Sequence, residues 1–196
     1  MRLDHDVIQG WVKPGSRVLD LGCGDGALLL NLKNQKQVRG VGIEIDHEKF
    51  NICVAKGLSV IEQNADLGLD NFADNSFDVV VMSQTLQAMN RPDQVLEETL
   101  RIGKKAIVAF PNFGHWFCRL HLGLKGKMPV SRFMPYSWYD TPNIHFCTVS
   151  DFERLCQQQN IQILNRVVTT SDGKLNRLAA IWPNLFATTA IYLLSK

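Results

Sequence analysis

No run of apolar residues in this 196-residue chain approaches the roughly 20 that a membrane-spanning helix requires, so no membrane partner is expected. There is no CxxC pair, and the five cysteines are an odd number, which argues against a disulfide framework. The first residues, Met1-Arg2-Leu3-Asp4-His5-Asp6, lack the basic and then apolar pattern of a secretory leader, so the expected compartment is the reducing cytoplasm. Charge is scarce as well: 21 Lys and Arg stand against 19 Asp and Glu, and a formal +2 predicts no nucleic-acid partner. The local cluster Arg101, Lys104 and Lys105 reads as a solvated helix end. Repeats and low-complexity tracts are missing, and a length of 196 with 45% hydrophobic residues suits a single domain spanning 1–196.

What is present is a rhythm. Apolar runs bounded by turn residues fall at Arg17 to Leu21, Val38 to Ile43, Leu58 to Glu62, Phe77 to Met82 and Lys105 to Phe110. Strands so uniformly apolar suit a sheet buried on both faces. Stretches with helical spacing lie between them, near Ala27 to Leu32, His47 to Ala55 and Pro92 to Ile102. The alternation predicts parallel β/α/β units and a three-layer α/β fold. A leading helix is expected over Val7, Ile8, Trp11 and Val12, ending at Lys13-Pro14-Gly15 and covering one edge of the ligand cleft. After Phe110 the rhythm breaks. Residues 111–147 form an irregular insert rich in aromatics (Phe113, Trp116, Phe117, Phe133, Tyr136, Trp138, Tyr139, Phe146), expected to fold as a lid or an interaction surface. A helix capped by Ser150 follows, then two β-like runs, Ile161 to Thr170 and Phe186 to Leu194, with Trp182-Pro183-Asn184 as the turn between them.

The segment Val18-Leu19-Asp20-Leu21-Gly22-Cys23-Gly24-Asp25-Gly26 carries the most information. A strand, a tight glycine turn and a helix start bring backbone against a charged, nucleoside-containing ligand. Gly22, Gly24 and Gly26 make room where a Cβ would block approach or disfavour a positive φ. Asp20, at the strand end, can hold a cationic amino or sulfonium group. Glu44 ends the second run 18 positions after Gly26, where a carboxylate can accept both ribose hydroxyls. Asp66, in Asn64-Ala65-Asp66-Leu67, can accept a hydrogen bond from an adenine amino group. Cys23 in the loop, Ile45 and Leu67 beside the two acids, and Ser83 at the end of the fourth strand complete the expected binding set.

Gly22, Gly24 and Ala27 also satisfy G-x-G-x-x-A, the fingerprint of a dinucleotide site. Asp20 counts against that reading, because such sites carry apolar residues at the strand end, and no hydride-transfer acid–base pair follows. His115, His145, Tyr136 and Tyr139 are candidates for chemistry, with packing inside the insert as the simpler role. His115, Cys118 and His121 share a helical spacing but lack a fourth ligand, so no metal site is assigned. No catalytic residue is assigned either.

With these residues placed, the chain resembles the class I S-adenosylmethionine-dependent methyltransferases. Val18 to Gly26, Glu44, Asn64 to Leu67 and Asn75-Ser76-Phe77-Asp78-Val79-Val80 look like four of their motifs in order. The resemblance implies a seven-stranded sheet in the order 3-2-1-4-5-7-6 with the seventh strand reversed. Ser83-Gln84-Thr85-Leu86-Gln87, Phe110-Pro111-Asn112-Phe113-Gly114-His115-Trp116, Pro135 to Tyr139 and Thr141 to His145 resemble, more narrowly, the MetW family of methionine biosynthesis proteins. That resemblance implies S-adenosylmethionine or S-adenosylhomocysteine as ligand and a homoserine O-acyltransferase as partner. Two functional expectations remain open: an accessory protein of homoserine acylation, or a small-molecule methyltransferase whose insert closes over its acceptor. Ser83-Gln84-Thr85 is not the Asn/Asp-Pro-Pro-aromatic pattern of enzymes that methylate nucleic-acid amino groups.

Overall fold

The computed structural model describes residues 3–131, 134–170 and 177–196; Phe133 of the insert lies outside the described residues. Strands Arg17–Leu21 (β1), Arg39–Glu44 (β2), Ser59–Glu62 (β3), Val79–Ser83 (β4), Ala106–Pro111 (β5), Gln162–Thr169 (β6) and Thr189–Ser195 (β7) form one sheet. Its order is β3-β2-β1-β4-β5-β7-β6. The pairs among β1 to β5 are parallel, whereas β7 runs antiparallel to both β5 and β6. This is the class I methyltransferase topology, reversed strand included.

Side-chain alternation divides the core. Leu19, Leu21, Val80, Met82, Val108 and Phe110 face one side, where helices Pro92–Ile102 (α4) and Val149–Gln158 (α6) supply Val95, Leu96, Leu100, Phe152 and Cys156. Val18, Val79, Val81, Ile107 and Ala109 face the other. There Leu3–Trp11 (α1), Ala27–Lys36 (α2) and His47–Ala55 (α3) contribute Ile8, Leu28, Leu29, Leu32 and Cys53. Both faces are covered, which is why the strands read as unbroken apolar runs. Among the described residues, no helix is long and apolar enough to cross a membrane.

Local chemistry sets most boundaries. Asp46 caps α3 by accepting from the Glu48 and Lys49 amides, and α4 starts on Pro92, whose missing N–H costs a first helical turn nothing. Four expectations change. The insert is not wholly irregular: Trp116–Lys125 (α5) is a helix, capped by the His115 ring and closed by Gly126 at φ 59°. Helix α6 begins at Val149 with Thr148, not Ser150, as its cap, because the Thr148 hydroxyl accepts from the Asp151 amide. The turn expected at Trp182-Pro183-Asn184 is built from two short helices, Arg177–Ile181 (α7) and Pro183–Phe186 (α8), and β7 accordingly starts only at Thr189. Arg101 is no solvated helix end: its guanidinium pairs with Glu98 and Asp74 and donates to the Leu69 and Phe72 carbonyls.

Asp78, just before β4, accepts from the Arg17 amide at 3.0 Å and from Lys104 Nζ at 2.9 Å. The Arg17 N–H, with Lys104 second, holds its carboxyl far below the usual carboxylate range. A carboxyl depressed in the folded state stabilises the fold above its unfolded pKa of about 4 and loses that contribution as the pH falls towards its folded value. Asp78→Asn is therefore expected to lower the melting temperature at pH 7, with the gap to the wild type narrowing progressively below about pH 4. A gap independent of pH in thermal melts between pH 7 and pH 2 would refute the assignment.

Candidate functional site

The glycine loop leaves β1 at its carboxyl end and is fastened on every side. Gly22 and Cys23 donate their amides to the Ile43 carbonyl at 2.8 and 3.0 Å, docking the loop on β2. The Gly24 amide donates to Glu44 Oε2 at 2.7 Å, and its carbonyl accepts from the Cys53 thiol at 3.2 Å. Lys56 Nζ reaches the Asp25 carbonyl and carboxylate at 2.6 and 2.9 Å, and that hydrogen bond holds the Asp25 carboxyl below its ordinary pKa.

Two of the three glycines are required by crowding and one by openness. All have positive φ: 70° at Gly22, 57° at Gly24 and 74° at Gly26. A Cβ on Gly22 would lie 2.6 Å from the Thr85 methyl, and one on Gly26 would collide with Leu58 and Cys53. At Gly24, in contrast, a Cβ would have no atom within 4 Å. The loop thus presents a bare, rigidly held peptide to open space between the ends of β1 and β2, a surface that a ligand's backbone-sized groove requires.

Glu44 is buried at the end of β2 and gathers three amides: Gly24 on Oε2, and Ile45 and Asp46 on Oε1 at 3.0 Å each. A carboxylate has about four acceptor positions, so three amides leave it with acceptor capacity in a fixed orientation. Beside it Ile45 is 63% exposed, and Leu67, in the turn after β3, is 84% exposed. Both are apolar side chains left in solvent beyond the ends of neighbouring strands. Asp66 accepts from the Asn90 amide and side chain at 2.9 Å each, so it also ties the loop after β3 to the segment that leads into α4.

Asp20 is buried in β1, opposite Gly42 and Val81. Ser83 ends β4 and donates to Asp4 at 2.9 Å, which draws the first turn of α1 over the strand ends. Gln84 next to it has φ 62°, a left-handed backbone rare for glutamine and the kind of strain that gathers at ligand sites. Cys23 is buried with its Sγ 3.9 Å from that of Cys53; burial first, and the Asp20 carboxylate second, push its thiol pKa well up. A thiol so placed stays protonated and packs as a small apolar group.

Sequence reasoning missed Thr85 behind Gly22, Asp4 over Ser83, and above all Gln87. Buried Gln87 donates both amide hydrogens, to the Gln84 carbonyl at 2.8 Å and to Asn143 Oδ1 at 3.1 Å. Its backbone carbonyl accepts from the Ile144 and His145 amides at 3.0 Å, while its side-chain Oε1 is buried without a hydrogen-bond partner. The strand-end turn and the insert are therefore one bonded unit, and only the repetition of glutamine in Ser83-Gln84-Thr85-Leu86-Gln87 hinted at it.

Within the insert His115 caps α5 by accepting from the Phe117 amide at 3.2 Å, and burial pushes its pKa down. The neutral ring is what the cap requires, since a protonated imidazole has no acceptor. Among the described residues no three His, Cys, Asp or Glu side chains are disposed to hold a metal ion. The cleft lined by Phe113, Met134, Tyr136, Trp138 and His145 has a volume of only about 30 Å³, whereas the neighbouring cleft between the strand-end turn and the insert, lined by Leu86, Gln87, Pro92, His145, Phe146 and Phe152, has about 290 Å³. Trp138 and Tyr139 are each 74% exposed, and Tyr136 and Phe146 are half exposed. These four aromatic side chains are turned towards solvent, whereas Phe113 and Phe117 are partly buried.

A sequence profile described as "Methionine biosynthesis protein MetW" matches residues 2–194. The chain is 33% identical over 200 residues to the bifunctional methionine biosynthesis protein MetXA/MetW of Rhodopirellula baltica, the match covering 97% of this chain and 32% of that one. It thus spans about a third of that relative's length. Among solved structures, a SAM-dependent methyltransferase from Thermotoga maritima superposes with a TM-score of 0.71 at 19% identity, covering 98% of this chain and 87% of that one. One from Methanosarcina mazei gives 0.70 at 18% identity, covering 97% and 96%. At such identities the structural likeness establishes the fold.

Proposed function

The chain belongs to the MetW family of methionine biosynthesis proteins, and from that premise we propose that it binds S-adenosylmethionine or S-adenosylhomocysteine at the glycine loop and acts with a homoserine O-acyltransferase in homoserine acylation. The nucleoside reading rests on fit. Gly24 offers open backbone, Glu44 an oriented acceptor, Ile45 and Leu67 two exposed apolar flanks, and Asp20 a carboxylate at the strand end for a cationic centre. S-adenosylmethionine, when bound, supplies a sulfonium and its transferable methyl group; this chain's residues orient it and shield its charge.

The observation that carries the accessory role is the outward-facing part of the insert, where Trp116, Tyr136, Trp138, Tyr139 and Phe146 are all exposed. A catalytic lid of this kind buries its aromatics around an acceptor; here they are left for another surface to cover. The Rhodopirellula baltica relative carries MetXA and MetW in one name and one chain, and fusion holds two proteins at high effective concentration, an arrangement suited to parts that act together. A nucleoside made downstream of methionine can adjust the partner by binding one state of the complex more tightly than the other.

The test mixes this chain with the homoserine O-acyltransferase of the same organism and measures acyl transfer with and without S-adenosylmethionine. The expected result is a rate that depends on this chain and shifts when the nucleoside is added. No complex and no change in rate, with methyl consumption in an acceptor screen, would promote the methyltransferase reading instead; the left-handed turn at Gln84 beside the site is the feature that favours it.

A further inference from the structure

Helix α5 wears its apolar stripe on the wrong side for a core helix. Trp116, Leu120 and Leu124, four residues apart and hence on one face, are 44, 52 and 77% exposed, while Cys118 is its buried anchor. A helix that merely completes a fold turns such a stripe inwards. Arg119 ties α5 to the neighbouring α8, donating to the Gly114 and Asn184 carbonyls at 2.6 and 3.5 Å. Ile181 and Trp182, leading into α8, are likewise exposed, at 67 and 59%.

The helices of this face are charged with one sign: α5, α7 and α8 carry Arg119, Lys125 and Arg177 but neither Asp nor Glu, and Lys127 follows α5 directly. Arg101 and Lys104, elsewhere in the fold, are matched by acids. Among the described residues no ion pair involves Arg119, Lys125 or Lys127.

We propose that the α5–α8 face is a docking surface for an acidic-rimmed apolar groove on the acyltransferase, with Trp116, Leu120 and Leu124 as helix anchors and Arg119, Lys125 and Lys127 as the cationic rim. The inference rests on the partner reading above. Anchors at i, i+4 and i+8 are the pattern by which a helix seats in a groove, and tryptophan is a characteristic energetic anchor. A second copy of this chain does not fit: a two-fold contact sets the same unanswered cations against each other. A membrane surface fits poorly, because the exposed apolar residues Trp116, Leu120, Leu124, Ile181 and Trp182 are divided between α5 and the α7–α8 corner, where an interfacial helix presents one continuous apolar face.

The experiment titrates the full chain with the acyltransferase by calorimetry, using Leu120→Glu, Leu124→Glu and the double variant Lys125→Glu/Lys127→Glu, each checked by circular dichroism and for S-adenosylhomocysteine affinity. Either leucine variant should weaken the complex by about tenfold or more, since it places a charge in a desolvated anchor pocket. The lysine variant should weaken it by a smaller factor and flatten its dependence on salt. Nucleoside affinity should stay unchanged throughout. A wild-type complex that survives both leucine variants overturns this face and leaves the partner reading standing; absence of any wild-type complex overturns both. Leu120-dependent capture on anionic vesicles, or a Leu120-dependent dimer in sedimentation velocity, would also overturn the assignment.

Discussion

Glu44→Gln is expected to weaken S-adenosylhomocysteine binding by about a hundredfold while leaving the sheet folded. The carboxylate accepts on both oxygens, from Gly24 at 2.7 Å and from Ile45 and Asp46 at 3.0 Å each. Glutamine has one acceptor oxygen and one NH2, so in either orientation a donor faces a backbone donor. Turning the NH2 towards Gly24 pushes the glycine peptide away; turning it towards Ile45 and Asp46 opens the start of α3. The ribose also loses a charged acceptor. Hydrogen bonds to charged groups contribute about 1.5–3 kcal/mol each, and one or two lost in binding give roughly 3 kcal/mol, or about a hundredfold. Calorimetry measures this directly. A melting temperature that falls with the affinity unchanged would show that Glu44 holds the loop and does not touch the nucleoside.

Asn112→Ala is expected to be the most destabilising single change at the mouth of the sheet. Asn112 is fully buried where β5 gives way to the insert. Its Nδ2 donates to the Ala187, Asn184 and Pro183 carbonyls at 2.8, 3.2 and 3.3 Å. Its Oδ1 accepts from the Gly114 and Val149 amides at 3.0 and 3.2 Å. One side chain thus joins the approach to α5, the start of α6 and the residues of and just after α8. Alanine removes that partner from five backbone groups, and the bonds lost at the Ala187 carbonyl and at the Gly114 and Val149 amides are buried. The expected cost is about 3–5 kcal/mol, which for a chain of this length corresponds to a fall in melting temperature of about 10 °C. Asn112→Asp separates hydrogen bonding from shape, because it keeps the volume but turns an oxygen towards three carbonyl oxygens; it should do no better than alanine. If Asn112→Asp melts like the wild type, the hub is not what holds these elements together.

Much of the architecture was legible because its causes are local. Unbroken apolar runs such as Val18 to Leu21 mark strands covered on both sides, and α3 and α4 begin where Asp46 and Pro92 stand. The glycine spacing marked the loop for a similar reason: a positive φ is a demand on a single residue. Helix α5 was hidden although Lys125-Gly126 signalled its end, because its cap is a histidine and its apolar stripe faces out, so its pattern resembled an aromatic loop. The cap of α6 was misplaced by two residues because Thr148 and Ser150 are equally good acceptors and only the chain's path distinguishes them.

From the amino-acid order alone came the alternation of strands and helices, the bare glycine turn, and an acid at the end of the second strand, each set by propensity, steric allowance or spacing along a few residues. Tertiary structure decided what those groups meet. It placed Asp4 against Ser83, 79 positions away, gave Asp66 to Asn90, and joined the strand-end turn to the insert through Gln87. It also left Trp116, Tyr136, Trp138, Tyr139 and Phe146 of the insert exposed to solvent. Such partners are chosen by the packing of distant segments, where the free energy of one buried hydrogen bond or one covered ring depends on neighbours that no local pattern encodes.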